Sequence, residues 1–260
     1  MRKAVLITGG GSGIGAATAR RLAEDGWLVG LIGRRAEPLA EVATETGGVA
    51  FVGDATDAQH LADAVTALSA AGGALQGLVC CAGTGKSGTA LEQTEAAWDR
   101  VLRTNLTAPF LAAQACLPTL LVQRGSIVIV ASLAGLRAGP AAIAYSASKA
   151  GAIHLGRCLA VDHGPQGVRT NVVCPGWVRT PLADDALSSH ADTVGGLDAA
   201  YADVTSVAPD RRPAEAVEVA NTIVWLLSNQ ASGINGATIT VDGGTHIVDA
   251  GTLPFLPPRP

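Results

Sequence analysis

Short apolar runs alternate along the chain with stretches in which apolar residues recur at helical spacing. A run of about four to eight apolar residues between turn-forming residues is typical of a buried strand. The pattern predicts strands at Ala4–Thr8, Trp27–Ile32, Val49–Val52, Leu78–Cys81, Ser126–Ala131, Thr170–Cys174 and Ala237–Val241.

Helical patterns separate these strands, and the clearest are Ile14–Asp25, Glu95–Leu117, Tyr145–His163 and Ala214–Leu227. Strands that alternate with helices in this way imply parallel strands joined by crossover helices. The pattern therefore predicts an α/β protein. Because no repeat and no linker-like change of composition interrupts it, we expect one domain over residues 1–250.

Two segments depart from this alternation. Residues 182–212 are interrupted by Asp, Ser, His and Gly, which predicts a loop or a loosely helical insertion, and an insertion of this length is often a lid. Trp177 and Tyr201, beside and within it, are candidates for the wall of a substrate pocket. Residues 251–260 form a Pro-rich tail, for which we expect no regular structure because proline lacks the backbone N–H donor.

Composition limits the class of protein. The chain has 260 residues, of which 48% are hydrophobic and 15% charged, and its net charge is −4. This length supports a full-sized core, and this charge gives no general attraction to nucleic acid or anionic membranes. No uninterrupted apolar run approaches the roughly 18 residues of a transmembrane helix. The five cysteines lack metal-ligand spacing, so we expect no metal site and a cytoplasmic location.

A glycine-rich segment, Thr8 to Gly15, follows the first predicted strand. Glycines allow the backbone to approach a pyrophosphate closely, and the start of the next helix offers unpaired N–H groups. The spacing departs from G-x-G-x-x-G because Ile14 occupies the sixth position from Gly9. A glycine-rich turn without a ligand is the alternative. The predicted dinucleotide-binding residues are Gly9, Gly11, Ser12, Gly13, Ile14 and Gly15.

The second predicted strand ends in Arg34 and Arg35, with no acidic residue. An acid at this point binds the ribose of NAD, whereas an arginine holds the 2′-phosphate of NADP. The arginines therefore favour NADP(H) over NAD(H), unless they are solvated surface charges. Asp54, followed by Ala55, is a candidate contact to adenine; its alternative is a helix cap, for which Asp57 is the better placed.

Tyr145 and Lys149 lie four residues apart in a helical pattern, on one face of the helix. A phenol is ordinarily too weak an acid to exchange protons at neutral pH, but a nearby ammonium favours the phenolate. Such a tyrosine can pass a proton to or from an alcohol oxygen. Ser132, at the end of the fifth strand, is placed to bond the same oxygen. A surface contact between the cation and the phenol ring is the alternative.

With these residues, the chain resembles the short-chain dehydrogenase/reductase family over about residues 3–245. The resemblance implies a Rossmann-type doubly wound parallel sheet of about seven strands, with helices on both faces. It also implies an oxidoreductase that transfers a hydride between NADP(H) or NAD(H) and a secondary alcohol or ketone. The matching motifs are Thr8-Gly9-x-x-x-Gly13-Ile14-Gly15, Asp54, Ala82-Gly83, Asn105, Ser132, Tyr145-x-x-x-Lys149, Pro175-Gly176 and Val241-Asp242-Gly243-Gly244.

The resemblance also implies roles for the matched residues. Tyr145 would be the acid/base, Ser132 would hold the reacting oxygen, and Lys149 would hold the nicotinamide ribose and favour the phenolate. The backbone carbonyl of Asn105 would hold a water of a proton relay; without the resemblance, an asparagine bonded to its own helix is the simpler interpretation. Further cofactor contacts are implied for Ala82, Gly83, Pro175, Gly176, Val178 and Thr180.

One motif departs from the family, which usually has Asn-Asn-Ala-Gly where this chain has Cys80-Cys81-Ala82-Gly83. The missing asparagines put local rigidity in question. Because neighbouring strand residues point to opposite faces, a disulfide between Cys80 and Cys81 is not expected, and we interpret both as small buried apolar residues.

Two other function classes stay open: a lyase or dehalogenase of the same fold, and a nucleotide-sensing binding protein. Such proteins typically lose the glycine-rich segment, the tyrosine, the serine or the lysine, and this chain retains them all. The resemblance further implies a homo-oligomer, a tetramer or dimer, formed through the helices that carry Asn105 and Tyr145.

Overall fold

A parallel seven-stranded sheet forms the centre of the computed structural model, which describes residues 1–85 and 88–255. Its strands are β1 (Arg2–Thr8), β2 (Leu28–Gly33), β3 (Val49–Val52), β4 (Gly73–Cys80), β5 (Ser126–Val130), β6 (Arg169–Pro175) and β9 (Thr238–Val241); two further strands, β7 (Val178–Arg179) and β8 (Ala214–Glu215), pair separately. The strand order of the sheet is β3-β2-β1-β4-β5-β6-β9, so the chain winds outwards in both directions from β1 and β4. The Rossmann-type α/β sheet is confirmed.

Helices cover both faces of the sheet. Leu22 of α1 and Ile223 of α9 pack on the face to which Val5 points, and Leu68 of α3 packs on the opposite face with Leu6. Successive residues of β1 thus serve two separate cores, as the pleat of a strand requires. The helices are α1 (Gly13–Glu24), α2 (Ala36–Thr46), α3 (Ala58–Ala70), α4 (Glu95–Leu102), α5 (Ala108–Gln123), α6 (Ile143–His163), α7 (Pro181–Val194), α8 (Leu197–Val204) and α9 (Ala216–Leu227).

Each of the seven predicted strands is present; β3 has the predicted bounds, and the other six have shifted ends. The largest shift is in β4, which begins at Gly73 instead of Leu78. Its first half pairs with β1 from Arg2 onward, although Gly and Gln interrupt the apolar run there. Pairing with a central strand therefore extends β4 beyond its apolar part.

The prediction of a single helix over Glu95–Leu117 is correct only in part. A π-helical turn, Arg103–Thr107, separates α4 from α5, and α5 continues to Gln123. Short π-helical turns are rare and often occur at functional sites. This one contains Asn105, whose side chain bonds to other parts of the chain, as described below.

The insertion predicted at 182–212 contains two helices, α7 and α8. They join at Gly195 and share a small core of their own, formed by Leu187, Ala191, Ala200 and Tyr201. Of the two alternatives predicted for this segment, a loop or a helical insertion, the helical one is observed.

The tail prediction is wrong for its first residues, because Ala250–Phe255 forms a 3-10 helix. The Asp249 side chain accepts a hydrogen bond from the Gly251 N–H, and the Asp249 carbonyl accepts one from the Thr252 N–H. Pro254 fits inside because its fixed φ is compatible with a helical turn and a short turn needs few donors. Residues 256–260 lie outside the part of the chain that the structure describes.

One helical stretch, Glu95–Gln123, is long and apolar enough to cross a membrane by length and composition alone. In this fold it lies against the sheet, where Ala112, Cys116 and Leu120 are buried in the core. The core therefore accounts for part of its apolar character.

Candidate active site

The carboxyl ends of the parallel strands bring the predicted site residues to one edge of the sheet. Thr8 ends β1, and Ser132 follows β5 by two residues. Pro175 ends β6 beside Val241 of β9, to whose carbonyl the Gly176 N–H donates at 3.0 Å. Such an edge, where the strand order reverses, is where open α/β sheets bind their ligands.

The glycine-rich segment turns sharply between β1 and α1. Gly9 has a left-handed φ of 68°, and a Cβ on it would lie 2.9 Å from the backbone of Ala82. Thr8 Oγ1 accepts hydrogen bonds from the N–H groups of Cys81 and Ala82, at 3.2 and 3.1 Å. The segment and the Ala82–Gly83 motif therefore form one continuous surface, as a single ligand would require.

The N-terminus of α1 is left open to an anion. Ser12 is its N-cap residue, yet its side chain bonds to no backbone N–H of the helix. The first amides of a helix otherwise need an acceptor from a side chain, water or a ligand. Instead, Ser12 Oγ accepts a hydrogen bond from the Arg35 guanidinium at 3.0 Å, which brings the arginine to the same end of the helix.

The two acidic residues after β3, Asp54 and Asp57, make different hydrogen bonds. Asp57 is the N-cap of α3 and accepts from the N–H groups of Gln59 and His60, so the cap prediction is confirmed. These backbone donors lower the pKa of the Asp57 carboxyl. Asp54 accepts from the Thr56 N–H at 2.9 Å and caps no helix, which leaves its predicted contact to adenine as a prediction.

Tyr145 and Lys149 lie on the first two turns of α6, beside the ends of β4 and β5. Lys149 is only 4% exposed, and its ammonium donates to the Val130 carbonyl at 2.9 Å. The same ammonium lies 5.7 Å from the centre of the Tyr145 ring. The contact between the ammonium and the ring is therefore not at the surface, and the Val130 carbonyl provides the partner that a buried charge needs.

Ser132 approaches this pair from β5. Its hydroxyl accepts from the Ala134 N–H at 3.1 Å and so caps the short 3-10 turn Leu133–Gly135. That turn packs directly on α6, since a Cβ on Gly135 would lie 2.7 Å from the Lys149 backbone. Ser132 is thus held next to the helix of Tyr145, with the second lone pair and the proton of its hydroxyl still available.

Asn105 does not bond to its own helix. Its amide oxygen accepts from the Thr84 N–H at 2.9 Å, and its amide nitrogen donates to the Thr84 carbonyl at 2.8 Å and to Ser148 Oγ at 3.0 Å. Ser148 in turn donates to the Tyr145 carbonyl at 2.7 Å. Thr84 and Ser148 are the site residues that the sequence did not reveal, since Asn105 and Ser148 are 43 positions apart.

The segment from Pro175 to Thr180 runs back towards the glycine-rich segment. Val178 is buried, Thr180 caps α7, and a Cβ on Gly13 would lie 3.1 Å from the Thr180 methyl group. The predicted nicotinamide-side and pyrophosphate-side contacts therefore belong to one cleft.

Cys80 and Cys81 are both free thiols; Cys80 is buried and Cys81 is half-buried. Burial raises the pKa of the Cys81 thiol to about 12 and that of the Cys80 thiol well above its ordinary value. Both side chains are therefore neutral at physiological pH, in agreement with the small apolar role expected from the sequence.

Tyr201 belongs to the core of α7 and α8, where it is 1% exposed, and its hydroxyl donates to Asp184 at 2.9 Å. It also contributes to the lining of a pocket that includes Thr180 and Leu197, so its predicted place at a substrate pocket stays a prediction. Burial, with the Asp184 contact, raises the pKa of Tyr201 to about 12. Trp177 remains a candidate, with 36% of its surface exposed.

Comparison with known proteins decides the family. The family model described as enoyl-(acyl carrier protein) reductase matches residues 9–246. The chain belongs to the short-chain dehydrogenase/reductase family. Members of this family are oxidoreductases that use NAD(P)(H), and the chain is an enzyme of this class.

Named relatives cover nearly the whole chain. Protein MoaE of Klebsiella aerogenes is 42% identical over 98% of this chain and 100% of its own length. The 2-(S)-hydroxypropyl-CoM dehydrogenase 3 of Xanthobacter autotrophicus is 37% identical over 92% of this chain and 95% of its own. The crystal structure of levodione reductase superposes with a TM-score of 0.89 at 32% identity, covering 95% of this chain and 98% of that one.

The cleft of this family member fits a dinucleotide. The uncapped start of α1 offers N–H groups to a pyrophosphate, and the left-handed Gly9 lets the backbone pass close to Ala82 without a side chain between them. Among residues 1–85 and 88–255, no group of three or more His, Cys, Asp or Glu side chains is placed to hold a metal ion.

Proposed function

We propose that the protein interconverts a medium-sized secondary alcohol and its ketone, with Tyr145 as the general acid/base. The observation that carries this proposal is the buried Lys149 ammonium beside the Tyr145 ring at the ligand-binding edge of the sheet. Held there by the Val130 carbonyl, the ammonium has two further N–H donors for the phenol and a bound nicotinamide ribose. The printed names of a hydroxypropyl-CoM dehydrogenase and a levodione reductase among the relatives support this substrate class.

Each residue has a separate task in this proposal. Ser132 donates a hydrogen bond to the substrate oxygen, and Tyr145 gives that oxygen a proton in ketone reduction or takes one in alcohol oxidation. Lys149 keeps one N–H on the Val130 carbonyl and has two more, for the nicotinamide ribose and the phenol. The carbonyl of Asn105, in the π-helical turn, holds a water that exchanges protons with this group.

NAD(P)(H), when bound, accepts or supplies the hydride at its nicotinamide ring. The glycine-rich segment and the α1 N-terminus would hold its pyrophosphate, and Asp54 and Ala55 would contact the adenine. Ala82 and Gly83 would pass close to the adenosine ribose, and the segment Pro175–Thr180 would hold the nicotinamide amide. Helices α7 and α8 would close over the substrate as a lid, bringing Leu182 and Trp177 to the pocket wall.

Arg34, assisted by Arg35, is proposed to select NADP(H). Both guanidinium groups are solvent-accessible, and Arg35 already contacts Ser12 at the start of α1. We expect Arg34→Ala to weaken NADP(H) binding by about 10- to 100-fold, the loss of one charge-assisted hydrogen bond. NAD(H) binding should change little. Titration of intrinsic fluorescence with each cofactor measures both values.

The matched control for Arg34 is Arg20→Ala, since Arg20 is an exposed arginine of α1 that pairs with Glu45 away from the cleft. It should bind both cofactors like the unmodified protein. Equal losses of NADP(H) and NAD(H) affinity in Arg34→Ala would show that the arginine does not contact the 2′-phosphate.

Absorbance of the reduced nicotinamide during incubation with a panel of ketones and secondary alcohols tests the proposed reaction. We expect turnover with at least one ketone in the presence of NADPH. Cofactor binding without any hydride transfer across the panel would favour a nucleotide-sensing protein. Chemical conversion of a substrate without a change of the nicotinamide band would favour a lyase or dehalogenase.

We also propose a homo-oligomer, a dimer or tetramer, built on α5 and α6. Phe110 of α5 is 46% exposed, and one face of α6 presents the exposed residues Ala147, His154 and Val161, with no formal charge when the histidine is neutral. We expect light scattering to give a molar mass that is a multiple of the chain mass. Phe110→Asp should give a lower molar mass, that of a smaller assembly. A monomer at all concentrations would contradict this.

A further inference from the structure

A path of hydrogen bonds with a buried centre connects the loop after β4 to the first turn of α6. It runs from Thr84 through the Asn105 amide to the Ser148 hydroxyl and ends on the Tyr145 carbonyl. Asn105 is 1% exposed and Ser148 is fully buried. The bond between Asn105 and Ser148 therefore lies where water cannot replace a lost partner, which makes it costly to remove, and the bonds to Thr84 and to the Tyr145 carbonyl are partly buried.

Apolar packing fixes the same two elements one turn further along α6. Gly151 has no side chain, and a Cβ on it would lie 2.9 Å from the Leu106 side chain. Leu106 is the residue after Asn105 in the π-helical turn, and Gly151 lies three residues after Ser148 on α6. The π-helical turn is thus held against α6 at two successive points, one polar and one apolar.

Ser148 connects the two residues proposed to take part in proton transfer. Its hydroxyl accepts from the Asn105 side-chain amide and donates to the Tyr145 backbone carbonyl, so both its proton and one lone pair are used. We infer that Ser148 is a positioning residue, which sets the direction of the Tyr145 phenol relative to Asn105 through the first turn of α6. The inference rests on the proposed role of Tyr145 and adds a residue to that site.

Removal of the Ser148 hydroxyl would leave the Asn105 amide with one acceptor fewer and free the Tyr145 carbonyl from its side-chain donor. The fold need not change, because Leu106 still packs on Gly151 and Asn105 still bonds to Thr84. The phenol would no longer be held at one angle. A displacement of a reacting group by about 1 Å can cost about 10²-fold in rate.

Ser148→Ala and Ser146→Ala form a matched pair for the test. Ser146 lies on the same turn of α6, and its buried hydroxyl has no hydrogen-bond partner within the described part of the chain. We expect Ser148→Ala to lower kcat at least about tenfold and to change its pH profile, with KM and the cofactor Kd nearly unchanged. Ser146→Ala should behave like the unmodified enzyme. Equal kcat values for the two variants would overturn the inference.

Combining Ser148→Ala with Tyr145→Phe shows whether Ser148 affects kcat through Tyr145 or through a general loss of active-site structure. If Ser148 acts through Tyr145, the double variant should be no slower than Tyr145→Phe alone. A further loss of rate in the double variant would contradict this route. If Tyr145→Phe itself keeps full activity, the proposed function fails and the role of Ser148 fails with it, whereas equal kcat values for Ser148→Ala and Ser146→Ala overturn the role of Ser148 alone.

Ser148→Thr and Ser148→Cys cover the case in which the alanine variant does not fold. Threonine keeps the hydroxyl and should retain a larger share of kcat, whereas cysteine keeps nearly the same volume with a weak S–H donor and should lose activity. The reverse order of kcat for these two variants would overturn the inference. Thermal unfolding of each variant confirms that the folded protein is being compared.

Discussion

Tyr145→Phe is expected to lower kcat by at least about 10²-fold, the usual contribution of general acid–base catalysis. The substitution removes only the hydroxyl, and the ring keeps its place beside Gly85, where a Cβ would lie 3.6 Å from it. Cofactor affinity should therefore stay close to that of the unmodified enzyme. The rate of a single turnover, with NADPH bound before the ketone is added, measures the effect without interference from product release.

The control for this substitution is Ser146→Ala, which removes a neighbouring hydroxyl that bonds to nothing within the residues described. Its single-turnover rate should match that of the unmodified enzyme. A Tyr145→Phe variant with full activity would remove the tyrosine from the mechanism and leave Ser132 as the remaining candidate to act on the substrate oxygen.

Lys149→Met is expected to impair both cofactor binding and turnover, with kcat reduced by about 10²-fold or more. Methionine fills a similar volume in the buried position, but it provides neither the positive charge near the phenol nor the donor to the Val130 carbonyl. The charge and the donors for the phenol and the ribose are lost together. The profile of kcat against pH for alcohol oxidation should consequently change in shape as well as in height, which a purely structural defect would not cause.

Lys3→Met is the matched control, since Lys3 lies over the Trp27 ring at 5.8 Å, at the opposite end of β1 from the cleft. It should alter neither cofactor affinity nor the pH profile. If Lys149→Met kept its affinity for NADP(H) and its pH profile, the lysine would contribute packing alone.

Most of the fold could be predicted from local patterns. Apolar runs located the seven strands of the central sheet, because parallel strands covered by helices on both faces are largely buried, although the edge strands β3 and β9 are only partly so. The small pair of β7 and β8 could not be found in this way. Each has two residues, and they pair across the whole of α7 and α8 because the chain returns to Val178 after the insertion.

The candidate site shows the same division between local and distant contacts. The Tyr145–Lys149 pair was visible because both residues lie on one helix at a spacing of one turn. The hydrogen bonds of the Asn105 side chain could not be predicted, because they join the π-helical turn to Thr84 and Ser148, which only the folded chain brings together. The last bond of the path, from Ser148 to the Tyr145 carbonyl, spans three residues and is a common pattern for helical serines.

A crystal structure of the protein with NADP⁺ and a secondary alcohol tests the central claim most directly. The account predicts the nicotinamide ring beside Pro175–Thr180, the Lys149 ammonium on its ribose, and the hydroxyls of Tyr145 and Ser132 both within hydrogen-bond distance of the alcohol oxygen. A dinucleotide bound elsewhere, or a Tyr145 hydroxyl directed away from the alcohol, would contradict it.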